Sequence, residues 1–392
     1  MIYRLHGAIQ PYAWGGYDYI PRLLGQMPDN QPKAELWFGD HPQAPALIED
    51  NGERQPLDQW LACHPEALSA QSRKRFGDRL PFLLKILDVR LPLSIQLHPD
   101  KAQAEAGFAR EEAANIPAAK RNYPDDNHKP EMMVALSDFW LLHGFADPAT
   151  ISARLAARPS LAPIAQLIAA HGLHEAYARI MRASQVELAA WLHPLLDAPA
   201  PAQLSDNPDY WLHHTVRSMA IARDALDPGL LSFYLFNIVH LHQGEGIFQG
   251  ARLPHAYLLG QNIELMAASN NVLRAGLTPK HIDIAELLAV IDSQPVTPAI
   301  LPPAPAGSLH HHPAPVDDFI LHTARLPEGQ ALDWQSEEAA ILLNLEGTLA
   351  VSDDAQTLTL ARGEAAFLLP GRRVHLAAES AAYFALASNR CP

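Results

Sequence analysis

Residues 80–101 read LPFLLKILDVRLPLSIQLHPDK. LPFLLKILDV has no continuous polar face, which predicts a strand buried on both sides. After a turn at Arg90-Leu91-Pro92 the text changes to LSIQLH, which alternates. Successive side chains of a strand point to opposite faces. Ser94, Gln96 and His98 therefore share one face, and Leu93, Ile95 and Leu97 the other. A buried strand that turns a polar row inward predicts a β scaffold with chemistry on its inner face.

Outward from this stretch, residues 1–145 alternate strand-like runs with turns rich in Gly, Pro and Asp, and one helical interruption stands at PLDQWLACHPEALSAQSRKRFG. From about 147 to 230 the chain is Ala/Leu-rich with spacing near 3.6, and Ser184–Glu187 (SQVE) reads as a capping box. Asp227-Pro228-Gly229 breaks this pattern. Strand texture returns in LSFYLFNIVHLHQGEGIF and HAYLLGQNIELMAAS. A Pro-rich stretch, QPVTPAILPPAPAGSLHHHPAP, then reads as a linker whose His310–His312 tract is solvated. Turn signals every 8–12 residues after it predict a small β-sandwich or barrel. GEGIFQGARLPHAYLLG and RGEAAFLLPGRRVHLAA echo one another and point to two copies of one β-barrel unit.

The expected fold class is therefore mainly β with a helical insertion. Residues 1–146 and 231–292 would form one discontinuous catalytic β domain, 147–230 the helical insertion, 293–315 the linker and 316–392 a C-terminal β domain.

The 392 residues are 48% hydrophobic and 18% charged, which supports buried cores rather than disorder. A net charge of −14 argues against nucleic acid or an anionic membrane as the main partner. The two cysteines, Cys63 and Cys391, form no CxxC or disulfide framework, and the N-terminal MIYRLHGAIQPYAWGG lacks an apolar signal core. We expect a cytoplasmic protein, monomeric or else a homodimer. Of only 7 lysines, Lys85, Lys101 and Lys129 fall in or beside the polar-patterned strands, and Lys280 follows NNVLRAGLTPK. This reads as placed charge, with chance clustering as the rival. An anionic small substrate would need such a local basic cluster.

Gln96 and His98 make one polar stripe. NHKPEMMVAL offers a second, on which Lys129 and Glu131 share a face while His128 and Pro130 share the other. LPHAYLLG places His255 at the head of an aliphatic strand. One amide oxygen, two imidazoles and one carboxylate suit Zn²⁺ or a similar ion. The competing reading is that 20 histidines put several beside Pro or Glu by accident. Glu264 (NIELMA) is costly to bury without a cation. Arg274 could be that partner, or could grip a phosphate with its planar fork. P-loop, GxGxxG and GxSxG patterns are absent from the sequence.

YAWGG, AELWFGDHP, SIQLHPDKAQAEAGF, YPDDNHKPEMMVAL and PHAYLLGQNIELMAASNNVLRAGLTPKHID together closely resemble type I mannose-6-phosphate isomerases. The resemblance implies a zinc-dependent bicupin, two cupin-like β-barrel or jelly-roll domains plus a helical domain, acting on a phosphorylated hexose. It implies zinc ligands Gln96, His98, Glu131 and His255, and an active-site Arg274. Lys129, Glu264 and Lys280 would line the pocket, Ser94 and Lys85 would hold the phosphate end, and Trp14 and Glu35 would stand near the mouth. The family's PAG turn before PHAY is replaced here by Gln249-Gly250-Ala251. Aldose–ketose isomerisation needs a base for the α-proton; Glu264 and His128 are the candidates, and the sequence leaves both open. Two other readings are a cupin oxygenase with Fe²⁺ on two His and a carboxylate, and a sugar-binding bicupin without turnover. A related isomerase acting on a different or unphosphorylated aldose is a third.

Overall fold

The computed structural model describes residues 1–391 and places Gln96–Leu97 of the polar stretch in a ten-stranded antiparallel sheet, paired with His255 and with Leu273–Arg274. The fold is mainly β, with eight- and four-stranded sheets beside the first and a helical block from Pro148 to Leu235. Among the described residues neither large sheet closes into a barrel by strand pairing.

The strand His255–Ala267 organises the ten-stranded sheet. It pairs with Phe82–Val89 along residues 260–267 and with Glu131–Ala135 along 262–266. Its first residues pair with Gln96 and with Phe139–Phe145. Phe82–Val89 is buried at every position. Leu84 and Ile86 pack with Ile263 and Leu265 against Ile341, Leu343 and Phe367 of the eight-stranded sheet, while Lys85 and Leu87 face the other way. Burial on both faces is why the segment shows no alternation.

Between Tyr257 and Leu259 the register with Phe139–Phe145 slips. A bulge inserts one residue and reverses which parity faces inward. Gly260 follows at φ +123°, where a Cβ would lie 2.6 Å from the carbonyl oxygen of Asp138. Only glycine fits that close approach.

The helical block packs on the same sheet through Tyr177, Trp191 and Trp211, which share one core with Phe145, Phe236, Ile95, Leu97, Ala256 and Leu258. The capping box at Ser184 and Glu187 is formed. A second box was not anticipated: Asp100 and Gln103 cap the helix Lys101–Ala113. Its signal, D-x-x-Q after a proline, was present in the text. LSFYLF does not begin as a strand; Ser232–Leu235 is a short helix and the strand starts at Phe236.

Two expectations are corrected by the strand pairing. First, Ile2–His6, Leu47–Asp50 and Glu53–Pro56 join the eight-stranded sheet with strands from 309–388, so the C-terminal β unit includes N-terminal chain. Second, Leu309–His312 is a strand paired with Ile320–Leu326, so the histidine tract is not a solvated linker. His312 is buried and its Nε2 faces the Thr323 hydroxyl at 2.8 Å.

Burial pushes the His312 imidazole down to about 3 and His322 down to about 4. Unfolded histidine titrates near 6.5. The stabilisation from holding these rings neutral is thus full above about pH 6.5 and declines as the pH falls towards 4 and then 3, because the unfolded chain binds the extra protons. The urea midpoint should fall between pH 7 and pH 4.5, and His322→Gln should flatten that slope. An unchanged slope in the variant would remove His322 from the account.

Candidate metal centre and active site

Three strands bring His98, Glu131 and His255 together. His98 Nε2 lies 3.2 Å from one Glu131 oxygen, and His255 Nε2 lies 3.3 Å from the other. All three residues are essentially inaccessible to solvent. Neither contact is a formed hydrogen bond: among the described residues both Nε2 atoms and both carboxylate oxygens are buried without a hydrogen-bond partner, with only the Lys129 ammonium ion-paired to one of the oxygens. Such orphaned atoms are costly to bury.

The opposite ring nitrogens are engaged. His98 Nδ1 faces the Asn271 carbonyl at 2.7 Å, and His255 Nδ1 the Leu253 carbonyl at 2.9 Å. A carbonyl there holds the proton on Nδ1 and leaves the Nε2 lone pair directed at the centre. Burial pushes His98 down to about 4, which keeps the ring neutral at physiological pH. Burial pushes the Glu131 carboxyl up, but Lys129 and His98 outweigh it and hold it well below the usual carboxylate range. Two imidazoles with Nε2 turned to the centre and a carboxylate, these atoms within 4.8 Å of one another, fit a divalent ion such as zinc. Gln96 stands directly across from His255 and from Arg274 in the strand register, so its amide could complete the set. Gln249 faces His143 at 2.9 Å, and the Arg252 N–H donates to the His98 carbonyl at 2.6 Å.

Beside the triad is a row of buried charges. Lys85 Nζ lies 3.0 Å from Glu264 and 3.5 Å from Glu35, and Lys129 Nζ lies 3.1 Å from Glu131. Cross-strand pairing produces this: Glu264 is opposite Lys85, and Glu131 is opposite Met266, two residues from Glu264 on one face. Burial lowers the Lys85 pKa, but Glu264 and Glu35 overcome it and raise the group, so the lysine stays charged. Burial raises Glu264, with Lys85 opposing.

A cleft of 470 Å³ opens nearby, lined by Lys120, Arg121, Asn270, Arg274, Lys280 and His281 among others. It is a local basic patch on a chain of net charge −14. Arg274 is half-buried, burial alone lowers its pKa, and among the described residues it forms no ion pair. A desolvated guanidinium without a counter-ion is an anion site.

The structure thus gathers Gln96, His98, Glu131, His255, Lys129, Glu264, Lys85 and Glu35, with Arg274 and Lys280 at the adjoining cleft. Ser94 is half-buried in the extended run two residues before Gln96. Trp14 stacks on Tyr12 at 6.0 Å. His128 is drawn elsewhere: its Nε2 meets Asp318 at 2.9 Å, whereas Lys129 pairs with Glu131. Arg274 does not partner Glu264; Lys85 does. Lys85, between two carboxylates, has little free charge for a phosphate.

Four neighbours escaped the sequence reading. Tyr257 is buried and its pKa is raised well above the phenol value, by burial and then by Glu264 and Glu131. Its signal was the two-residue spacing from His255. Trp37 donates to Glu35 and lies 5.2 Å from Lys85 Nζ. His41 faces Asn270 at 3.1 Å. Lys120 lies outside any strand and offered no signal.

Fold and site together define a metal-dependent enzyme built on antiparallel sheets. The family "Phosphomannose isomerase type I, catalytic domain" matches residues 2–147. The chain belongs to the type I mannose-6-phosphate isomerases. It is 38% identical over 376 residues to the mannose-6-phosphate isomerase of Escherichia coli (strain K12), covering 93% of this chain and 94% of the relative. With the Homo sapiens enzyme it shares 31% over 411 residues, covering 96% and 95%. A solved zinc-bound mannose 6-phosphate isomerase matches with a TM-score of 0.87 at 36% identity over 99% of each chain. A mutant phosphomannose isomerase from Salmonella typhimurium gives 0.88, also at 36% and 99% of each. Among the described residues no helix is long and apolar enough to cross a membrane.

Proposed function

We infer that the protein interconverts mannose 6-phosphate and fructose 6-phosphate with one zinc ion per chain, in the cytoplasm. The observation that carries this is the orphaned His98–Glu131–His255 set beside a buried Lys–Glu row and an unpaired Arg274, in a chain of this family. We assign Gln96, His98, Glu131 and His255 as the ligands. Bound there, zinc supplies Lewis-acid stabilisation for an oxyanion on the sugar.

The remaining work falls to the chain's own residues. Glu264, its pKa raised by burial, takes the α-proton and returns it to the neighbouring carbon. Lys85 holds that carboxylate in place. Lys129 adds positive field where the enediolate charge develops. Arg274, Lys120 and Lys280 hold the phosphate end in the basic cleft, and Ser94 is assigned to the same end of the substrate. Trp14, Tyr12 and Glu35 border the mouth; the Tyr12 phenol feels both Glu35 and Lys85. His128, tied to Asp318, is left out of proton transfer. The two β units are read as cupin-like: each echoed segment forms strand, turn, strand, at Gly246–Gln249 with His255–Ala267 and at Ala365–Leu368 with Arg372–Ala378.

The direct test is a coupled assay for each hexose phosphate from the other. Absence of turnover by zinc-loaded protein would remove the assignment. Arg274→Ala should lower kcat/KM for mannose 6-phosphate about 100-fold, or about 2.7 kcal/mol, the scale of a lost charge-assisted contact. Turnover of unphosphorylated mannose and the melting temperature should barely change. An equal loss on both sugars would move Arg274 from phosphate holding to the reacting carbons.

A further inference from the structure

A second group of metal-ligand side chains lies outside the active site. His240 and His242 sit two residues apart at the end of Phe236–Leu241, an outer strand of the ten-stranded sheet. Period-two geometry turns both rings to one face. Asp138 immediately precedes the partner strand Phe139–Phe145 and reaches the same face. One Asp138 oxygen lies 3.1 Å from His240 Nε2 and 3.1 Å from His242 Nδ1.

We propose that Asp138, His240 and His242 form a second, solvent-facing site for a borderline divalent transition-metal ion, such as Cu²⁺, Ni²⁺ or Zn²⁺. Tetrahedral bonds of about 2.0–2.1 Å place neighbouring ligand atoms roughly 3.3 Å apart; both imidazole nitrogens already stand 3.1 Å from the Asp138 oxygen, and all three atoms lie within 4.8 Å of one another. Two imidazoles and a carboxylate select borderline ions over Mg²⁺ or Ca²⁺. The ligands are also pre-positioned. The His240 ring stacks on Trp140 at 4.2 Å with an interplanar angle of 1°. The His242 backbone N–H donates to Glu245 at 2.8 Å. Without metal, one carboxylate oxygen can accept N–H from both rings; with metal, each ring carries its proton on the other nitrogen. The side chains of Asp138 and His242 are about seven-tenths exposed, so water reaches the open coordination positions.

The test uses zinc-loaded holoenzyme titrated with Cu²⁺ and followed by Trp fluorescence, copper EPR and retained zinc. We expect one further equivalent per chain, a two-nitrogen copper spectrum and quenching of Trp140. Affinity should fall in the order Cu²⁺, Ni²⁺, Co²⁺. His242→Ala and Asp138→Asn should each weaken uptake at least about tenfold while isomerase activity without added metal stays at the parent value. Trp140→Phe should keep the binding and lose the quenching. No further equivalent, unchanged uptake by His242→Ala, or copper that enters only by displacing the catalytic zinc would overturn the site.

Discussion

Protein stripped of zinc by chelation is expected to lose isomerase activity by about a thousandfold or more, and to regain it with one equivalent of Zn²⁺. The chain's own charges say why. Glu35, Glu131 and Glu264 stand against Lys85 and Lys129, leaving one excess negative charge in a buried row. That row repels a developing oxyanion. A divalent ion held by the proposed ligands Glu131, Gln96, His98 and His255 would reverse the sign. Stripping should also lower thermal stability, because the two imidazole Nε2 atoms and the second Glu131 oxygen then have no partner. Full turnover with less than a tenth of an equivalent of metal would sink the metal assignment.

The second large effect is expected of Glu264→Gln: a fall in kcat of at least about 100-fold. A neutral amide cannot take the α-proton, so kcat should fall with little change in KM. Stability should fall too, by about 3–5 kcal/mol, because Lys85 is left buried with only Glu35 at 3.5 Å. The two effects separate in the double variant Glu264→Gln/Lys85→Met, which removes both buried charges. Its melting temperature should recover most of the loss while kcat stays low. If kcat recovered with stability, Glu264 would be a structural anchor and not the base.

Both expectations draw on parts of the site that the sequence makes legible to different degrees. The proposed ligands each sit in a short segment with its own local signal: Gln96 and His98 on an alternating run, Glu131 beside Lys129, His255 at a Pro-His strand start. The Lys85–Glu264 pair was not readable as a pair. The two residues are far apart in the chain, and nothing local fixes which strand lies beside which. From the sequence Arg274 stands either as the partner of Glu264 or as a grip for a phosphate, and the register gives Glu264 to Lys85. The C-terminal boundary failed for the same reason, since pairing of Ile2–His6 with Ala365–Leu368 is wholly non-local.

The sequence by itself determined the β–helix–β order, the buried double-faced strand at Phe82–Val89, the capping box at Ser184 and the residue types of a zinc site. These follow from periodicity and side-chain chemistry, which act over a few residues. Tertiary structure alone decided which groups meet. Strict alternation would put His255 and Tyr257 on one face of their strand and Glu264 on the other. The bulge after Tyr257, with Gly260 at φ +123° against the Asp138 carbonyl, adds one residue and turns Glu264 to the same side. A single inserted residue in the ladder thus puts the proposed base beside the metal ligands, and only the pairing with the neighbouring strands fixes where that residue falls.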